Sequence, residues 1–169
     1  MTARTLMPVL LSIGLLGVFW GQSNRKAASA PKFTELSRED STRLEQQRAV
    51  VAAAAKLRFG TKELTRTRSD LPVLQNLIDQ RVFTKSQTNE LHSLGVAFGD
   101  VLASEFPLRW VMVTDEYGTD PTLRFKETTL QINALTIISK RVERDEPVSV
   151  QGLLDTTREQ LAAHEGKSR

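Results

Sequence analysis

The residues best suited to chemistry sit on one short acidic stretch, Asp115-Glu116-Tyr117-Gly118-Thr119-Asp120-Pro121. Its three carboxylates offer the hard oxygens that ligate a cation such as calcium, and they can also accept hydrogen bonds from a cationic group. The spacing is not that of an EF-hand loop, and no further oxygen cluster follows. A turn-building reading competes. Gly118 takes positive φ without steric cost, and Asp120 folds its carboxylate onto backbone N–H groups beyond Pro121. On that reading Glu116 and Tyr117 are left to face a partner, because tyrosine offers a large contact surface with a polar tip.

Trp110, Tyr117 and Arg124 form a second candidate set, a pocket in which Arg124 would hold a carboxylate bidentately. Against it, strand alternation puts Trp110 on one face with Met112, and a strand tryptophan usually buries. His92 shares a helical face with Gly95 and Gly99. It has no serine, cysteine or carboxylate pair at a telling spacing, so nucleophilic and metal chemistry lack their partner groups. Lys56, Arg58, Lys62, Arg66 and Arg68 crowd one segment against Glu63. That run reads as a solvated helix end and loop, or as a contact for anionic headgroups if the chain is anchored.

These residues need elements to position them. A first helix begins near Asp40 or Ser41 and ends at Gly60, with Leu44, Val51, Ala55 and Arg58 on one face. Asp70 caps a short helix from Leu71 to Ile78. A third helix runs from about Ser86 to Glu105, where Leu91, Leu94, Phe98, Val101 and Leu102 form an apolar stripe. Gly95 and Gly99 lie beside it and admit a close neighbour, while Asp100 and Glu105 mark the segment as soluble. Arg109–Thr114 is a central strand, apolar on both faces. Leu123–Phe125 and Leu130–Ile132 alternate and complete an antiparallel meander. Asn133 then caps a helix with Leu135, Ile138 and Val142 inward, and Ser149 starts a last helix from Val150 to about His164. The fold class is α+β, with helices on one face of a three-stranded antiparallel sheet.

LGVAFGDVL from Leu94, the W-x-MV-x-DEYG-x-DP stretch from Trp110 and LTIISKRVE from Leu135 carry a resemblance. Together they look like a family of bacterial domains of unknown function that share a Gly-x-Asp-Pro element, here Gly118 to Pro121. The resemblance covers roughly Ser69 to Leu154. It implies a shared fold and an envelope setting, and it transfers no catalytic residues.

The N-terminus speaks to address. Arg4 precedes an apolar run, Leu6–Trp20, that carries no charge. A basic start and an apolar stretch match a secretory signal peptide. As a helix the run spans roughly 22 Å, short of a hydrocarbon core of about 30 Å. Ala28-Ser29-Ala30 has the small-x-small cleavage pattern, but Pro31 at the scissile bond disfavours peptidase binding. Cleavage and retention as an anchor both stay open, and either puts the domain outside the cytoplasm. The organisation is thus 1–30 signal peptide or membrane anchor, 31–39 linker, 40–165 one α+β domain, and 166–169 a disordered tail. The location is periplasmic or secreted, or anchored to the inner membrane by residues 6–21.

Composition narrows the function. The first 30 residues hold Arg4, Arg25 and Lys26 and no acid, so the rest of a chain with 23 basic and 20 acidic side chains is formally neutral. A nucleic-acid binder would show a basic footprint, and none is present. There is no cysteine, which excludes disulfides, thiolate chemistry and lipidation at cysteine. No cofactor is expected. The expected partner is an envelope protein or peptide, bound at the sheet edge or in a groove beside Gly95 and Gly99, with membrane contact only through the N-terminal segment. The alternative is a metal-assisted hydrolase or cation-binding domain using Asp115, Glu116 and Asp120.

Overall fold

The computed structural model describes residues 30–60 and 63–167. The signal-or-anchor segment lies outside them. Among the described residues no helix is long and apolar enough to cross a membrane.

The chain runs β1 (Lys32–Thr34), α1 (Arg38–Phe59), a 3-10 turn (Arg68–Asp70), α2 (Leu71–Asp79), α3 (Thr88–Glu105), β2 (Leu108–Asp115), β3 (Gly118–Phe125), β4 (Gln131–Ile132), α4 (Ala134–Ile137), α5 (Ser139–Glu143) and α6 (Val150–Lys167). The sheet has four antiparallel strands in the order β1-β2-β3-β4. The expected meander is β2-β3-β4, and the additional strand comes from the segment read as a linker. Phe33 of β1 pairs with Val113 of β2, which makes β2 central. Three residues beside Pro31 give too short a pattern to read locally, and the partner that makes them a strand is far away in sequence.

The first helix starts earlier than Asp40. Ser37 is its cap: Ser37 Oγ accepts from the Asp40 N–H at 3.1 Å, and Asp40 accepts from the Ser37 N–H at 3.1 Å. That reciprocal pair is a capping box, so Asp40 is the third helical residue rather than the cap. Gly60 closes the helix in the left-handed conformation, as expected. Asp70 does not cap α2 with its side chain either. The helix after β4 breaks at Ile138 into α4 and α5 instead of running straight. At the other end, α6 continues through Gly166 and Lys167, part of the expected tail.

The core lies between the helices and one sheet face. All five residues of the α3 stripe are buried, joined by Leu74, Leu77, Leu123, Phe125, Ile138 and Leu154. Leu108, Leu123 and Phe125 share that face because side chains alternate along a strand. Gly95 and Gly99 explain how α3 sits so deep. A Cβ on Gly95 would overlap the carbonyl oxygens of Ala134 and Leu135, and one on Gly99 would overlap the Trp110 ring. The groove expected beside these glycines is therefore filled by α4 and Trp110, and it cannot take a peptide.

Candidate functional site

The acidic stretch is a two-residue β-hairpin. Asp115 of β2 pairs with Gly118 of β3, which leaves Glu116 and Tyr117 at the tip. Gly118 adopts φ +137°, a conformation that L side chains rarely take. The local carboxylate clamp comes from Asp115, whose Oδ1 accepts the Tyr117 N–H at 2.8 Å, and not from Asp120. Asp120 lies in β3, paired with Val113 and exposed. Pro121 follows within β3, beyond the reach of β4, where its missing N–H costs no ladder bond. The carboxylates do not converge. Among the described residues no group of three or more histidines, cysteines, aspartates or glutamates is arranged to hold a metal. Tyr117 is 87 % exposed.

Trp110, Tyr117 and Arg124 do not meet in one pocket. Trp110 pairs with Leu123 and shares its face, packing against the core. Arg124 pairs with Arg109 on the opposite face. There its guanidinium stacks 4.6 Å from the centre of the Phe33 ring. Arg124 also donates to Glu127 Oε2 at 2.9 Å and to the Thr128 carbonyl at 2.7 Å, and Arg109 joins Glu35 to Glu127. Arg124 is thus committed within its own sheet. His92 is half-buried on α3 and belongs to neither set.

A polar cluster that the sequence did not single out lies between α1 and α3. Arg48 donates through Nε and Nη2 to the two carboxylate oxygens of Asp100, at 2.6 and 2.7 Å. Trp110 Nε1 donates to the same Asp100 at 2.9 Å. Arg48 Nη1 reaches Glu45 at 3.0 Å, and Glu45 is in turn held by both terminal nitrogens of Arg66. Burial works against the charge of Arg48, but its bonds to Asp100 and the charges of Asp100 and Glu45 outweigh burial and raise its pKa. The Arg66 hydrogen bond foremost, aided by the nearby Arg48 charge, holds the Glu45 carboxyl below its ordinary range.

Asp100 is thereby a buried ion-pair partner rather than a solubilising surface charge. Its position was the available signal: α3 is buried continuously from Ser93 to Leu102, and an acid inside such a run needs a partner. Arg66, part of the basic run, adopts φ +59°. Asp70 enforces this by accepting the N–H groups of Thr65 and Arg66 and the Thr65 hydroxyl, at 2.7 to 2.9 Å. Glu45, Arg48, Arg66, Asp70 and Asp100 line a cavity of about 290 Å³ walled by α1, the 63–70 loop and α3.

Comparison with known proteins adds a family. Residues 70–153 match the domain of unknown function DUF3806. The DUF3806 span takes in Asp100, Trp110 and the whole hairpin, and it leaves Glu45, Arg48 and Arg66 outside. No curated protein matches the chain. A crystal structure from Bacteroides thetaiotaomicron VPI-5482 shares the fold with a TM-score of 0.70 and 15% identity, over 79% of this chain and 49% of that one. The chain thus spans about half the length of that protein, and at this identity the likeness concerns fold alone.

Proposed function

We propose that this is an exported or membrane-anchored envelope protein whose domain binds a protein or peptide partner without catalysis, using the tip of the β2–β3 hairpin. One observation carries the reading: Tyr117, a large aromatic, stands 87 % exposed on a turn pinned from both sides. Asp115 fixes the turn through the Tyr117 N–H, and Gly118 supplies the conformation that closes it. A rigid, amphipathic side chain loses little entropy on binding, which is why tyrosine is enriched where interfaces carry their energy. Glu116 beside it gives a charged neighbour for recognition.

The sheet edges are poorer candidates. The outer strands β1 and β4 offer three and two residues, too few rungs for an added strand to gain much. The envelope address rests on the charge-free run Leu6–Trp20 behind Arg4. The metal-assisted reading has no observation in its favour, because Asp115 turns back onto its own backbone.

The test is proximity labelling and co-purification from envelope fractions, with the wild-type chain beside a Glu116→Ala, Tyr117→Ala double variant. A partner retained by the wild type and lost by the folded variant supports the reading. Equal recovery by both moves the interface elsewhere. A reporter fused at Arg169 that stays in the cytosol sinks the address.

A further inference from the structure

The cavity between α1, the 63–70 loop and α3 has a chemistry of its own, independent of the hairpin. Its floor is small and apolar, made by Ala49 and Ala52 of α1, Ala97 of α3 and Leu64 of the loop. At about 290 Å³ it stands at the lower end of ligand pockets, roughly 300–1,000 Å³, so it suits one side chain or a similarly small molecule.

The polar lining is lopsided in charge. Arg48 uses Nε, Nη1 and Nη2 on Asp100 and Glu45. Arg66 uses Nη1 and Nη2 on Glu45. Arg48 and Arg66 keep further N–H groups, but the charge of each guanidinium is already met by a carboxylate. The carboxylates outnumber them. Asp70 is occupied by its own loop, but Glu45 and Asp100 are carboxylates with further lone pairs, and Glu63 at the rim forms no ion pair among the described residues. With Asp70 set aside, three carboxylates stand against two guanidiniums. The excess negative charge is not a property of the domain at large, which is formally neutral over residues 31–169.

We propose that this cavity binds an organic cation, an amine or guanidinium on a short methylene stem such as a lysine or arginine side chain. The stem lies on the alanine floor, and the charged end brings the donors that Glu63 and Glu45 accept. The part-buried Arg48–Asp100 pair fixes the base of the cavity, and the left-handed Arg66, held by Asp70, fixes its far wall. A charge-assisted bond here is stronger than a neutral one, and a ligand of the same shape without charge forfeits that difference.

The experiment is a titration of the isotope-labelled full chain in mild detergent with N-acetyl-arginine amide and its neutral isostere N-acetyl-citrulline amide, followed by amide chemical shifts. The arginine compound should saturate shifts at Ala49, Ala52, Leu64 and Ala97 with a dissociation constant of about 1 mM or tighter. Citrulline should bind at least about tenfold more weakly, and Glu63→Gln should weaken the arginine compound about threefold or more. Ala52→Leu should abolish binding, and Ala49→Leu, at a more exposed position, gives a second block should Ala52→Leu disturb folding. Equal binding of the two compounds sinks the cation class. Binding that survives both blocks, or shifts confined to other residues, sinks the cavity as the site, and saturation nowhere sinks the proposal entirely.

Discussion

Arg48 and Asp100 lie 52 positions apart and meet in a bidentate ion pair, with the Trp110 indole donating to the same carboxylate. The pair joins α1 to α3 and reaches β2 through Trp110, so one buried acid ties three elements together. Two of its three donors belong to Arg48 of α1 and the third to Trp110 of β2. Removing Asp100 leaves the half-buried Arg48 with Glu45 alone and strips the Trp110 indole of its acceptor, which costs more than the pair itself is worth. Asp100→Ala should therefore destabilise the protein by about 3 kcal/mol in urea melts. The double variant Arg48→Met, Asp100→Leu should recover most of that loss. A single variant as stable as the wild type would mean the pair is solvated in solution.

The α3 core is equally open to test. Phe98 is fully buried at the centre of the stripe, so Phe98→Ala should cost about 3–5 kcal/mol. Gly95→Ala should also destabilise, by about 1–3 kcal/mol, because the added methyl meets backbone carbonyls that cannot rotate away. Effects near zero for both would mean α3 packs by another face.

At the hairpin, Gly118→Val should lower the melting temperature, since a β-branched residue at φ +137° is strained whatever the space around it. Glu116→Ala with Tyr117→Ala should leave the unfolding free energy unchanged within about 0.5 kcal/mol and the melting temperature with it, as expected for exposed positions. A drop for the double variant comparable to that of Gly118→Val would show that the tip side chains hold the fold.

Calcium added to the purified protein should shift its melting temperature little, because Asp115 is engaged with the Tyr117 N–H and no three acidic or histidine side chains among the described residues are arranged to hold a metal. A large, saturable stabilisation would instead make Asp115, Glu116 and Asp120 a cation site.

Acid should unfold this protein through particular carboxylates. Arg66 lowers the pKa of Glu45, Ser37 that of Asp40, Lys85 that of Asp145 and Gln151 that of Asp155. A depressed folded-state value means the unfolded chain binds more protons, so the stabilisation is present above the unfolded value. It is lost as pH falls through about 4 and below. Denaturant melts from pH 7 to 3 should show this decline, and Glu45→Gln should make it shallower. An unchanged slope in that variant would place the acid-sensitive groups elsewhere.

What the sequence determined by itself is what repeats locally. The α3 stripe follows from an apolar residue every three or four positions, and the β2–β3–β4 meander follows from a both-face apolar run and two alternating segments. Gly60 and Gly118 announced their left-handed conformations because glycine alone takes them without cost. The tertiary structure decided whatever depends on a distant partner. Phe33 is a strand residue only because Val113 lies beside it, and Arg48 is a half-buried cation only because Asp100 faces it. Asp70 illustrates the boundary: its place before a helix suggested a cap, yet its carboxylate turned to the preceding loop and set the φ of Arg66. Local pattern fixes which groups can form an element, but the pairing of buried polar groups depends on which elements meet, and that is settled by packing across the whole domain.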